Sequence, residues 1–213
     1  MRMCEIEAVL LDMDGTLVDS DRAVERAWST WAAERHVDAR AVLAIAHGRP
    51  AESTVRDIWP HLDDAAVRIA AQRQLDLQYG DLSDVVAMPG ADLLLSTLRQ
   101  LGLAWAVVTS ADFRLASVRL AAAGIAPTIL VTSDDVSEGK PAPHGYVRAA
   151  QQLRVVPERC LVVEDSAAGL RAGRRAGAMT AALRNLDGDL VITNLGQLSD
   201  MLTLARETPC STR

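Results

Sequence analysis

Asp12 and Asp14 stand two residues apart in Leu11-Asp12-Met13-Asp14-Gly15-Thr16-Leu17, directly after an apolar run at 8–11. In extended backbone alternate side chains point the same way, so the two carboxylates converge on one site while Met13 turns aside. Thr109 and Ser110 follow a second apolar run, Gly139-Lys140-Pro141 follows a third, and Glu164, Asp165 and Ser166 follow a fourth. Four carboxylates in one crevice repel by kilocalories unless a cation lies among them, and hard carboxylate oxygens beside a phosphate-sized site favour magnesium. Lys140 adds positive charge, and the hydroxyls of Thr109 and Ser110, with the amides opening the next helix, suit phosphoryl oxygens. The chemistry these parts fit is phosphoryl transfer. In the expected mechanism Asp12 attacks phosphorus in line as the bond to the departing oxygen breaks, which gives an aspartyl-phosphate. Asp14 protonates the departing oxygen and then takes a proton from the hydrolytic water. Asp12, the main-chain carbonyl of Asp14 and Asp165 would hold the metal beside the phosphate, with Glu164 a ligand or just behind them.

Each residue alone has a plainer explanation. An aspartate pair before glycine suits a turn, Lys140 a solvated surface, Ser110 and Ser166 helix caps, and Glu164-Asp165 an acidic strand end. The functional reading rests on their joint occurrence, in order, at the ends of apolar runs.

Those runs must supply the scaffold. Segments 8–11, 104–108, 129–132 and 160–163, with 180–183 and 190–192, are short and apolar without strict alternation, as in strands covered on both faces. Helical patterns at 93–101, 115–123, 146–153 and 170–176 lie between them. This alternation implies an α/β Rossmann-like doubly wound parallel sheet, whose ligands bind at the carboxyl ends of the strands. From 20 to 87 the rhythm breaks into amphipathic helical stretches at 23–34, 39–46, 53–59 and 65–79, without a strand. The expected organisation is therefore a core of 1–19 and 88–213 with a small helical cap at 20–87.

The 213 residues are 49% hydrophobic and 23% charged, which suits a folded soluble protein. With 28 acidic against 22 basic residues, the net charge of -6 provides no general field to attract nucleic acid or an anionic membrane. No apolar run approaches the roughly 20 residues of a membrane span. A cytoplasmic protein acting on a small phosphorylated molecule, with neither nucleic acid nor membrane as partner, is the expectation; the sequence leaves the oligomeric state open, a monomer slightly ahead. Cys4, Cys160 and Cys210 are odd in number and scattered, as for reduced thiols.

The motifs resemble the haloacid dehalogenase superfamily in its helical-cap phosphatase branch, along nearly the whole chain. Asp12-Met13-Asp14-Gly15-Thr16 is similar to the first motif of that family, Val108-Thr109-Ser110 to the second, Gly139-Lys140-Pro141 to the third, and Val163-Glu164-Asp165-Ser166 with Gly169 to the fourth. Val18-Asp19-Ser20, the segment Ala23-Val24-Glu25-Arg26-Ala27-Trp28, and His47-Gly48-Arg49 resemble bacterial sugar-phosphate and hexitol-phosphate phosphatases. The resemblance implies that Asp12, Asp14 and Lys140 are catalytic, that Thr109, Ser110 and Lys140 bind phosphate, and that Asp12, Asp14, Glu164 and Asp165 hold magnesium. It places His47, Gly48 and Arg49 on the cap loop over the active site, with Arg49 reading distal groups of the substrate. Dehalogenase members lack the second aspartate. The β-phosphoglucomutase branch carries a histidine where this chain has Val24, which ranks a mutase below the phosphatase as the alternative. Trp28 and Trp31 are expected in the cap's core. A signalling receiver domain, which also phosphorylates an aspartate, is the alternative from another class; its order of acidic residues and its lack of a cap differ from this chain.

Overall fold

The computed structural model describes residues 2–46 and 49–207. In chain order its first elements are β1 (Ala8–Leu11), β2 (Val18–Asp19), α1 (Asp21–Glu34), α2 (Ala39–Ala46), α3 (Ala51–Ile58) and α4 (Asp64–Gln78). Then come β3 (Val86–Ala87), α5 (Ala91–Gln100), β4 (Ala104–Val108), α6 (Phe113–Ala122), β5 (Leu130–Val131) and α7 (His144–Leu153). The last are β6 (Cys160–Glu164), α8 (Ala167–Ala176), β7 (Met179–Ala182), β8 (Leu190–Val191) and α9 (Leu195–Glu207). Ser20–Val85 forms one compact unit and the chain on either side of it forms the other.

In the larger unit β1 and β6 are buried at every position, which explains why they read as continuous apolar runs. The sheet runs β5-β4-β1-β6-β7-β8, and every pairing is parallel. The polar residues after β1, β4 and β6 therefore emerge together at the carboxyl edge of three adjacent strands. Ala8, Leu10, Ala106, Val108, Cys160 and Val162 point to one face and bury against Tyr146, Ala149 and Ala150 of α7 and Ala172 of α8. α5 and α9 pack on each other elsewhere in this unit.

Two features lie outside the sequence expectations. Helix α9 continues the chain beyond the final strand. β2 and β3 form a two-residue antiparallel ladder that sets the points where the chain leaves and re-enters the larger unit side by side. A pair of two-residue strands is too short to leave a period in the sequence.

The smaller unit has its own core. Trp31 is fully buried, donates its indole N–H to the carbonyl of Ala70 at 2.8 Å, and meets Trp28 and Trp59 at centroid distances of 5.3 and 5.2 Å. Both Trp28 and Trp31 are core residues, as expected. Trp31→Ala should destabilise this unit by about 3–5 kcal/mol, read as a lower urea midpoint. The helix α4 is started by Asp63, whose side chain accepts the amide of Ala66 at 2.8 Å.

Candidate active site

The amide of Asp12 bonds to the carbonyl of Val163 at 3.0 Å, which extends the β1–β6 ladder by one residue and sets Asp12 at the sheet's rim. Its side chain is nearly buried. The chain then turns back on itself: the amides of Thr16, Leu17 and Val18 all point to the carbonyl of Met13, and Gly15 donates to the carbonyl of Val18. Gly15 sits at a φ of +77°, and a Cβ there would fall 2.1 Å from Oδ2 of Asp165. Only glycine allows this turn to lie against the end of β6.

The turn also corrects the simple alternation argument. Met13 lies in a bend and Asp14 forms an isolated bridge to Val18, so Asp14 does not continue the strand that ends before Asp12. Its carboxylate accepts a hydrogen bond at 2.8 Å from the guanidinium of Arg119 on α6.

Lys140 does meet Asp12. Its ammonium contacts Oδ1 of Asp12, donates to the carbonyl of Val108 at 3.0 Å, and lies 2.7 Å from Oε1 of Glu164. Burial opposes the charge on Lys140, but the carboxylates of Asp12 and Glu164 outweigh it and raise its pKa. The ammonium is thus fixed as a cation. Burial first, and then Glu164, push the Asp12 carboxyl well above the usual carboxylate range against the pull of Lys140.

Glu164 is fully buried and holds four donors. The hydroxyl of Tyr146 and the ammonium of Lys140 reach Oε1, both at 2.7 Å; the amide and hydroxyl of Ser166 reach Oε2 at 3.1 and 2.9 Å. A Cβ at Gly169 would fall 1.6 Å from Oε1, so the first turn of α8 must lack a side chain there. Ser166 in turn caps α8 through the amide of Gly169 at 3.0 Å. Asp165, next along, pairs with Nε of Arg184 at 3.0 Å.

Asp12, Glu164 and Asp165 each present a carboxylate oxygen within 4.8 Å of the others. Hard oxygens at this spacing, with Gly15 making room beside Asp165, fit a magnesium ion. The carboxylate of Asp14 is not in the group.

Thr109 is buried and its hydroxyl accepts the amide of Ala111 at 3.1 Å, while Ser110 beside it is exposed. The amides of Phe113 and Leu115 are taken by the carboxylates of Asp134 and Asp112. The start of α6 therefore satisfies these amides within the fold, unlike the ligand-facing helix start expected from sequence. In the smaller unit Arg49 is exposed and its guanidinium engages Ser53 at 2.6 Å and Asp57 at 2.7 Å. His47 and Gly48 lie outside the described residues.

A family model for haloacid dehalogenase-like hydrolases matches residues 6–177. The chain belongs to that family. The hydrolase is 38% identical over 198 residues to hexitol phosphatase A of Escherichia coli strain K12, covering 89% of this chain and 92% of that protein. It is 32% identical to 2-deoxyglucose-6-phosphate phosphatase 1 of Saccharomyces cerevisiae, over 89% and 88% of the two chains. Its fold matches a crystal structure of a family IA, variant 3 hydrolase from Entamoeba histolytica with a TM-score of 0.83 at 22% identity, over 94% and 100% of the chains. Membership removes the receiver-domain alternative.

Three side chains of the hydrolase's site escaped the sequence reading. Tyr146 and Arg184 gave no signal beyond their types. Arg119 did leave one: it falls on the buried face of α6 with Leu115, Ala116 and Leu120, and a lone cation on an apolar face needs a partner. Cys4 is disulfide-bonded, which departs from the expectation of reduced thiols. Cys160 is buried and free, its pKa pushed up to about 12 by burial and by Glu7 and Glu158. Among the described residues no helix is long and apolar enough to cross a membrane.

Proposed function

We propose that this hydrolase is a magnesium-dependent phosphatase of small sugar or sugar-alcohol phosphates that works through an aspartyl-phosphate on Asp12. The observation that carries the reading is the buried contact of Asp12 with Lys140, backed by Glu164 and flanked by Asp165 at the same strand ends. The named phosphatases among its relatives support the substrate class.

Asp12 is the nucleophile: it attacks phosphorus as the bond to the substrate oxygen breaks, and Asp14 delivers a proton to that oxygen. Water then attacks phosphorus, Asp14 takes its proton, and the bond to Asp12 breaks to release inorganic phosphate. Lys140, held as a cation by Glu164, stabilises charge on the transferring group. Thr109 keeps the loop shaped through its bond to Ala111, and Ser110 offers its exposed hydroxyl to a phosphoryl oxygen. Asp12, Asp165 and the main-chain carbonyl of Asp14 would hold magnesium, which would supply polarisation of the phosphoryl oxygens. Glu164 serves Lys140 rather than the metal, because its oxygens already accept four hydrogen bonds.

The unit Ser20–Val85 acts as the cap that selects the substrate. A cleft of about 260 Å³ on it is lined by Asp21, Glu25, Val24, Trp28, Leu43 and Ala46, and its two carboxylates suit sugar hydroxyls. Val24, the position of the mutase histidine, offers that cleft no imidazole. Incubation with a panel of sugar and polyol phosphates and magnesium should release inorganic phosphate. Isomerisation alone, dependent on a bisphosphate activator, would replace this reading with the mutase.

A further inference from the structure

Arg119 is 2% exposed, on a helix face otherwise made of Leu115, Ala116 and Leu120. Its guanidinium reaches 105 positions back along the chain to Oδ1 of Asp14 at 2.8 Å. The two side chains differ in their need for each other: that of Asp14 is 32% exposed and can be hydrated, whereas that of Arg119 is 3% exposed. Burying a guanidinium is costly, and replacing a buried ion pair by apolar groups of similar size is often neutral or stabilising. Stability alone therefore gives no reason to keep a cation here.

We propose that Arg119 is the positioning residue for Asp14, holding its carboxylate in the orientation from which it exchanges protons with the leaving group and with the hydrolytic water. The inference rests on the phosphatase reading above. A guanidinium is planar and rigid, and α6 anchors it among buried side chains, so a bond to Oδ1 restricts the carboxylate's rotation. Asp14 needs such a hold. It lies past the end of β1, in an isolated bridge to Val18 outside the sheet, and the ladder that sets Asp12 does not reach it. Displacing a reacting group by about 1 Å can cost 10²-fold in rate.

The test is the steady-state and burst kinetics of Arg119→Met, which has similar length and no charge, alone and combined with Asp14→Asn. On a polyol phosphate the single variant should lose about 10- to 100-fold in kcat with KM little changed. On p-nitrophenyl phosphate, whose leaving group needs no proton, it should release a burst of about one p-nitrophenolate per enzyme before a slow steady phase, because hydrolysis of the aspartyl-phosphate still waits for Asp14. Added to Asp14→Asn, Arg119→Met should cost nothing further. Wild-type kcat in Arg119→Met, a change in KM alone, or an additive loss on the Asp14→Asn background would overturn the inference. Arg119→Lys keeps a charge at the buried position should Arg119→Met not fold; it should show a smaller loss of kcat, and additivity with Asp14→Asn would overturn the inference there as well. Full activity of Asp14→Asn itself would overturn the acid-base reading of Asp14 and this inference with it, whereas additivity on an impaired Asp14→Asn background overturns the role of Arg119 alone.

Discussion

Asp12→Asn should lower phosphate release on the order of 10⁴-fold or more while leaving the protein folded, since an amide cannot replace the carboxylate nucleophile. The expectation for stability follows from the charges around it. Asp12 loses its contact with Lys140, but it also leaves the company of Glu164 and Asp165, whose oxygens lie within 4.8 Å. Two like charges at that separation repel by about 3–4 kcal/mol at an effective dielectric near 20, before screening. The Asp12 carboxyl sits well above its ordinary pKa, chiefly through burial and then Glu164, so burial and repulsion together exceed the attraction of Lys140. Removing the charge should therefore leave the melting temperature of the metal-free protein unchanged or raised. Acid-quenched intact mass should show a phosphoryl adduct on the wild type during turnover and none on Asp12→Asn. Turnover by Asp12→Asn within tenfold of wild type would rule out the covalent mechanism.

Chelation should have a comparable effect by another route. EDTA should abolish phosphate release, and added magnesium should restore it. Because the ion would bind the folded cluster of Asp12 and Asp165 and not the unfolded chain, magnesium at about 100 times its Kd should add about 2.7 kcal/mol of stability. For a chain of this size that corresponds to a rise of roughly 5–10 °C in melting temperature. Asp165→Asn should lose the thermal response together with activity, whereas Asp64→Asn, an exposed position in the helical unit, should keep both. Undiminished turnover in EDTA would remove magnesium from the mechanism.

Much of the fold was legible because burial on both faces leaves a strong mark. A strand such as Ala8–Leu11, covered above and below, must be apolar throughout, and the polar residue that follows is the first one allowed at the rim. The gathering of Asp12, Glu164 and Asp165 follows once β1 and β6 are neighbours in the sheet, whereas Lys140 reaches them from the loop after β5, two strands from β1. The β2–β3 ladder was not legible, because two residues carry no period. Helix amides that were expected to face a ligand proved to be bonded to Asp112 and Asp134, the second of which is distant in sequence.

The sequence by itself determined the parallel α/β core, the helical character of the inserted segment, the hydrolase family and the residue types at the rim. Local composition encodes those properties, since periodicity and chain order survive without knowledge of distant contacts. Only the tertiary structure decided the partners: that Asp14 accepts from Arg119, that Glu164 is committed to Lys140, Tyr146 and Ser166, and that Gly15 must be bare to admit Asp165. Which charge meets which depends on a turn and on helix placement across a hundred residues of chain, and no spacing within a motif specifies that.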